Sequence, residues 1–365
     1  MKAGIMTFHQ ALNYGAVLQT YALQQALGSI GADSDVIDYT CEKIKKGYDG
    51  IIFSRCSRRL EYRMCLHYYI RTKKRQRAFD SFAQRYLKLS QRCDKSNIAM
   101  MEDRYDCFIT GSDQVFNDVC TDLDRNYFLD FVKDPKKKNS YAASFGFQEI
   151  PGQHVETYKT LLGDFDNLSV REEQGVRIVR ELLGKRAERH VDPTLTLPPE
   201  TWECMVAQRP LKEKYIFIYT VQNPRKTYAY AEALAEKTGY KIVFLHGIID
   251  TKPVSKEQKG AKHLYALSPD AFLNYIYHAE YVLTNSFHGT VFSIIYKKKF
   301  MVELEAWKYN HRAKELLDLA GLAGHDLKPM DISAIEREED WDAVHERLRT
   351  ESQRSMDYLE SICPR

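Results

Sequence analysis

Two successive runs of short apolar segments alternating with helical patterns constrain this chain more than any other feature. In the first run Lys2–Phe8, Ser34–Asp38, Asp106–Thr110, Ser140–Ser144, Leu168–Val170 and His190–Asp192 read as strands. Val17–Leu27 reads as a helix, with apolar residues at Val17, Leu18, Tyr21, Ala22 and Leu27, and Arg55–Leu89 reads as a long helical region. Asp192-Pro193, then Leu197-Pro198-Pro199, break regular structure. The second run follows, with strands at Tyr215–Val221, Lys241–His246, Tyr281–Thr284 and Phe300–Val302, and helices at Tyr228–Thr238, Pro269–His278 and Thr290–Tyr296. Strands that alternate with helices form parallel sheets covered on both faces. The expected fold is therefore α/β, with two Rossmann-like domains facing a cleft. Residues 1–197 form the first domain, expected on the acceptor side and carrying a basic helical insert at about 55–89, and 198–330 the second, expected on the donor side. A C-terminal segment, 331–365, carries the helix Trp341–Ile362, expected to pack back on the first domain. Ligands of such folds bind at the carboxyl ends of the strands, in the cleft.

Composition narrows the function classes. A chain of 365 residues suits two cores, and 44% hydrophobic with 28% charged residues excludes global disorder. A net charge of +3 argues against a dedicated nucleic-acid binder. The charge is unevenly spread: Arg55–Lys88 holds eleven Lys/Arg against Glu61 and Asp80, a balance of +9. None of the eight cysteines forms a CxxC pair, and no His/Asp/Glu cluster has metal-ligand spacing, so neither a metal nor another cofactor is expected. The N-terminal MKAGIMTFHQALNYG lacks the apolar region of a signal peptide, and no apolar run reaches the roughly 18 residues of a membrane span. The expected location is the cytosol, with reduced thiols.

Five segments could carry chemistry. Asn13-Tyr14-Gly15-Ala16 lies between a strand and a helix, where free N–H groups favour an anion; an ordinary turn capped by Asn13 explains it as well. Thr110-Gly111-Ser112-Asp113-Gln114 ends an apolar strand with small polar residues that suit a sugar or phosphate, or a capped glycine turn. Thr284-Asn285-Ser286-Phe287-His288-Gly289-Thr290 sets His288 at a helix N-terminus facing the cleft, where it can bind phosphate and donate a proton. Ser169-Val170-Arg171-Glu172-Glu173 offers an arginine fork for a carboxylate or phosphate, or a surface ion pair. Trp307-Lys308-Tyr309-Asn310-His311-Arg312 offers two cations after the last strand, or a solvated helix start.

Together, NYGAVLQTYAL from Asn13, TGSDQVFN from Thr110, SVRE from Ser169, Asp192-Pro193 and NSFHGTVFSIIY from Asn285 resemble the polysaccharide pyruvyltransferase family. Asn310-His311-Arg312 ahead of Leu316-Leu317 is similar to the family's tail, where a Ser often stands at the place of His311. The resemblance runs from about Met1 to Leu322. It implies a glycosyltransferase-B-like fold, phosphoenolpyruvate as donor, and a pyruvate ketal on a cell-surface polysaccharide or its lipid-linked precursor as product. The family's donor-site His falls on His288, its Arg on Arg171 and its Lys on Lys308. With Asp113 or Glu172 as base, His288 would act as acid, and Asn13, Gly15, Gly111, Ser112, Gln114, Asn285, Ser286, Gly289, Asn310 and Arg312 would bind substrate. Two other functions stay open: a nucleotide-sugar-dependent glycosyltransferase of the same fold, and a non-catalytic glycan- or anion-binding relative. Segment 55–89 reads either as a solvated helical face or as a surface for an anionic membrane at its inner face.

Overall fold

The computed structural model describes residues 1–49, 59–221, 225–247, 260–304, 311–328 and 331–363. In the first half, strands β1 (Lys2–Met6), β2 (Asp33–Val36), β3 (Cys107–Thr110), β4 (Lys138–Ser140), β5 (Ser169–Val170) and β6 (Glu188–Arg189) accompany helices α1 (Tyr14–Ser29), α2 (Glu42–Asp49), α3 (Arg59–Tyr86), α4 (Asp118–Thr121), α5 (Val155–Gly163) and α6 (Glu173–Leu183). In the second half, β7 (Tyr215–Thr220), β8 (Lys241–His246), β9 (Lys262–Leu264), β10 (Tyr281–Thr284) and β11 (Lys299–Val302) accompany α7 (Pro199–Glu203), α8 (Arg225–Thr238), α9 (Pro269–His278), α10 (Phe287–Ile295), α11 (His311–Ala320) and α12 (Trp341–Ile362).

The first sheet runs β2-β1-β3-β4 and the second β11-β10-β7-β8-β9, every pair parallel. Buried parallel strands need apolar residues on both faces. Accordingly Ile216, Phe217, Ile218 and Tyr219 of β7 are all buried. The pair β5-β6 attaches beside β4 through isolated bridges at Asn139–Asn167 and Ala143–Val170. The strand expected at Ser140–Ser144 lies earlier, at Lys138–Ser140, for a local reason: Ala142 sits at φ +45°, outside the extended region, so β4 stops at Ser140 and pairing resumes only at the isolated bridge of Ala143. Likewise β6 ends at Arg189, and the expected strand His190–Asp192 is the irregular stretch that carries Asp192 beyond the sheet edge.

Of the basic segment, Arg59–Tyr86 forms α3, while Arg55 and Arg58 lie outside the described residues. The described cations of α3 divide between inside and outside. Arg75 is buried; Nη1 donates to the Gly247 carbonyl at 2.8 Å, and Nη2 to Tyr14 Oη at 3.2 Å and to the His246 carbonyl. Arg71 lies 3.8 Å from the Tyr265 ring centroid. These two residues tie the first half to the carboxyl end of β8 and to the residue after β9. Outward, Leu66, Tyr69 and Ile70 are exposed near Lys74 and Arg77. No helix among the described residues is long and apolar enough to cross a membrane.

Helix α12 spans both halves. Val344 and Leu348 join the core of the second sheet, whereas Tyr358, Leu359 and Ile362 join β1, β3 and α1. Tyr358 donates to the Ser140 carbonyl at 2.9 Å and stacks on His190 at 4.4 Å. His190 is buried, with Nδ1 2.8 Å from Ser169 Oγ. Burial, then Arg354 and Arg189, pull its pKa from 6.5 down to about 4. A depressed folded pKa means that the unfolded chain takes up the proton first. The stabilising effect is therefore complete above pH 6.5 and is lost as pH falls toward 4. The shift corresponds to about 3 kcal/mol. Comparing His190→Phe with the parent by urea unfolding at pH 7 and pH 4 should show a weaker loss on acidification in the variant. Equal losses in both would exclude His190 as the cause.

Candidate active site

The ends of β3, β5 and β6 converge under the start of α10. After β3, Gly111 adopts φ +128°, and a Cβ there would fall 2.1 Å from the Tyr141 carbonyl oxygen, so this turn requires glycine. Ser112 is fully buried; its N–H donates to Gln19 Oε1 at 3.1 Å and its Oγ to the Ala142 carbonyl at 3.0 Å. Asp113 takes φ +63°, a left-handed geometry that Asp tolerates. Its carbonyl accepts from the Ser144 N–H at 2.8 Å. Gln114 points elsewhere: its Oε1 accepts from Asn117 Nδ2 at 2.8 Å.

Beyond β5, Arg171 is neither a surface residue nor an open fork. Its side chain is 3% exposed; Nη1 donates to Asp192 Oδ2 at 2.6 Å and Nε to Glu172 Oε1 at 3.0 Å. Nη2 lies 3.8 Å from Asp113 Oδ1, too long for a hydrogen bond, and the guanidinium sits 4.7 Å from the Phe287 ring centroid. Burial works against its charge, but Glu172, Asp192 and Asp113 outweigh it and raise the pKa, so Arg171 stays a cation.

Asp192 is the hub, and the sequence reading did not include it among the site residues. Its Oδ1 accepts from the Thr194 N–H at 3.0 Å and from Thr194 Oγ1 at 2.7 Å. Its Oδ2 receives Arg171 and, at 3.3 Å, Ser112 Oγ. His288 Nε2 lies 3.3 Å from that same Oδ2, an ion-pair distance without hydrogen-bond geometry. Burial pushes the Asp192 pKa up, yet His288 and Arg171 hold it far below the usual carboxylate range. A usable signal was present: a carboxylate directly before proline at a strand end, a place where side chains are presented to a cleft.

From the second half comes α10. It begins earlier than the expected Thr290, because Ser286 caps it by accepting from the Gly289 N–H at 3.4 Å. His288 and Gly289 thus lie inside the first turn rather than ahead of it. Ser286 is occupied as a cap, and Asn285 Oδ1 accepts from the Val221 N–H at 2.9 Å. A Cβ on Gly289 would lie 2.3 Å from Thr284 Oγ1, so that glycine serves helix–strand packing. His288 is 6% exposed and abuts α1: a Cβ on Gly15 would stand 1.9 Å from its Nδ1. Asn13 is the exposed cap of α1, accepting from the Gly15 and Ala16 N–H groups at 3.0 and 3.3 Å. Lys308 and Asn310 lie outside the described residues.

At the start of α11, Arg312 reaches the same cluster; burial first, then the neighbouring Arg171, lower its pKa. Buried side-chain donors without a hydrogen-bond partner gather in this region: Arg171 Nη2, Arg312 Nε, Ser144 Oγ and Asn285 Nδ2. Each such group costs about 1–3 kcal/mol and calls for an explanation such as an absent ligand. The cavity bordered by Arg171, Asp192, Phe287 and Arg312 measures about 30 Å³, room for a water or two. As arranged, the two halves are closed upon the site. No His/Cys/Asp/Glu group suited to a metal occurs among the described residues.

The model of one family, described as polysaccharide pyruvyl transferase, matches residues 13–302. The chain belongs to this family. That match takes in α1, the Asp113 turn, Arg171, Asp192 and His288, and it stops short of α11 and α12. No curated protein matches the family member in sequence. Among solved structures, a putative UDP-N-acetylglucosamine 2-epimerase from Listeria monocytogenes is similar at TM-score 0.54 and 10% identity, covering 99% of this chain and 96% of that one. A UDP complex of MnaA from S. aureus is similar at TM-score 0.51 and 11% identity, over 99% and 96% of the two chains. At such identities the likeness shows the fold: two Rossmann-like halves in a glycosyltransferase-B-like arrangement.

Proposed function

We propose that this pyruvyl transferase family member takes phosphoenolpyruvate as donor and forms a pyruvate ketal across two hydroxyls of a glycan sugar. The observation that carries the reading is the set of buried, unpartnered donors, Arg171 Nη2, Arg312 Nε and Ser144 Oγ, gathered beside a histidine that bridges the two halves. Buried donors of this kind suit an anion that replaces water. The described cluster has no surplus of positive charge, since Asp113, Glu172 and Asp192 face Arg171 and Arg312. The donor's own phosphate and carboxylate therefore need the unpartnered N–H groups, with Lys308 as a further candidate cation.

The halves part to admit the donor, as lids and domains commonly do. His288 gives a proton to the methylene carbon of phosphoenolpyruvate, leaving an oxocarbenium-like centre at C2. One sugar hydroxyl adds to C2 and passes its proton to a carboxylate, Asp113 or Glu172. Phosphate leaves, and the second hydroxyl closes the ketal with loss of its own proton. Asp192 holds the ring of His288 and stabilises it once protonated.

UDP in the MnaA complex favours a second reading, transfer from a nucleotide sugar. Thermal unfolding separates the two. Phosphoenolpyruvate at about one hundred times its dissociation constant should add about 2.7 kcal/mol of stability. A shift with UDP- or GDP-sugars and none with phosphoenolpyruvate would replace the donor named here.

A further inference from the structure

Outside this cluster, a roomy opening lies in the first half. It measures about 400 Å³, within the rough 300–1,000 Å³ range of small-molecule pockets. Its floor is the carboxyl end of β1 and β2, where His9, Gln10 and Asp38 follow the strands, and its roof is α3. Asp38 is buried and preorganised: Oδ1 lies 3.1 Å from His9 Nε2 and accepts from Gln10 Nε2 at 2.6 Å, and Oδ2 accepts from Arg92 Nε at 3.0 Å. Burial raises its pKa, but His9 with Gln10 and Arg92 outweigh burial and hold it at about 2. Asp80 and Gln84 of α3 line the same space and have no hydrogen-bond partner among the described residues. Leu12, Phe79 and Leu89 supply an apolar wall.

We infer that this pocket binds one neutral pyranose ring, the acceptor sugar of the transfer proposed above, on which the inference rests. Carboxylates and amides along one side both accept from and donate to hydroxyls, while Leu12, Phe79 and Leu89 match the C–H face of a ring. The lining charges cancel, Asp38 and Asp80 against Lys45 and Arg92, so an anion gains nothing here. The loop that lines the pocket at His9, Gln10 and Leu12 runs directly into Gly15, which packs on His288. Two residues, Asn13 and Tyr14, separate Leu12 from Gly15, so the three Cα–Cα steps between them reach about 10 Å at most. The pocket wall and the candidate proton donor are thus parts of one short connection. Arg75 and Arg71 lock the roof helix to the second half, so parting the halves moves this wall as well.

Saturation-transfer NMR with p-nitrophenyl hexopyranosides of gluco, galacto, manno and N-acetyl configuration tests the site on the whole chain, beside thermal shift with phosphoenolpyruvate. Gln84→Trp fills the pocket from an exposed position on α3 and leaves the Asp38 contacts alone; Asp80→Asn removes the charge and turns one acceptor oxygen into an NH2 donor without adding bulk. At least one glycoside should bind the parent. Gln84→Trp should weaken it about tenfold or more, equivalent to about 1.4 kcal/mol, and Asp80→Asn should weaken it less. The shift with phosphoenolpyruvate should persist in both variants. Absence of binding by every glycoside, binding unchanged in Gln84→Trp, or binding only when the sugar carries a diphosphate would overturn the inference. Glycoside binding that Gln84→Trp abolishes, in a protein that phosphoenolpyruvate does not shift, would uphold the pocket and sink the donor reading instead.

Discussion

Replacing His288 by Ala is expected to lower kcat by roughly 10²–10⁴-fold, the usual worth of a positioned acid, while the protein stays folded. The assay is phosphate release from phosphoenolpyruvate in the presence of an acceptor glycoside. His288 stands at the seam of the two halves, with Nε2 toward Asp192 and Nδ1 toward the Gly15 backbone. Gly15→Ala reports on that seam from the other side. Its new Cβ would stand 1.9 Å from Nδ1, so the ring or helix α1 must move, at a cost of about 1–3 kcal/mol for overpacking. The double variant His288→Ala/Gly15→Ala should recover most of that stability, because truncating the imidazole makes room for the methyl. Non-additivity of this sign is what two residues in contact produce. Gly15→Ala with unchanged melting temperature and unchanged kcat would show that α1 and α10 do not meet as described. Normal turnover in His288→Ala would remove His288 from the chemistry.

The second large effect concerns stability more than catalysis. Arg171→Met should destabilise the protein by about 3–5 kcal/mol, since it strands carboxylates in the interior. Glu172 and Asp192 are both buried, and each loses its guanidinium partner at 3.0 and 2.6 Å. Read from sequence, Arg171 is a donor clamp whose loss raises KM. The structure gives it a second role, in which only Nη2 is left for a ligand. Asp192→Asn in the Arg171→Met background removes one of the stranded charges and should restore part of the loss. Denaturant unfolding of the two single variants and the pair measures this coupling. If Arg171→Met unfolds at the parental denaturant midpoint and changes only KM, the cluster is not held together by charge, and Arg171 is a clamp alone.

The two sheets were legible in the sequence wherever strands are buried on both faces. Lys241–His246, Pro269–His278, Tyr281–Thr284 and Trp341–Ile362 have the expected boundaries, because apolar periodicity and proline or serine caps are local signals. Ser140–Ser144 and His190–Asp192 were harder, since their lengths depend on the left-handed turn at Ala142 and on a two-strand edge that pairs only through tertiary contact. Within the candidate site, His288, Arg171, Asp113 and Arg312 stood out as ionisable residues at strand or helix ends. Ser144 and Gln19 carried no such mark, and Asp192 was read as part of a chain break.

The sequence by itself determined the alternation of strands and helices, the break between the two runs and the identity of the ionisable groups at the strand ends. These follow from neighbouring residues, through hydrophobic period, capping and the backbone limits of glycine and proline. Only the tertiary structure decided that Asp192 joins Arg171, Ser112 and His288, that Gly15 must be a glycine for the sake of a ring 273 residues away, and that Arg75 of a basic helix turns inward. Such pairings arise where parallel strands deliver their carboxyl ends to one place. A charge buried there is tolerable only beside its partner, and that partner comes from whichever strand or helix the fold sets alongside, not from the residues next to it in the chain.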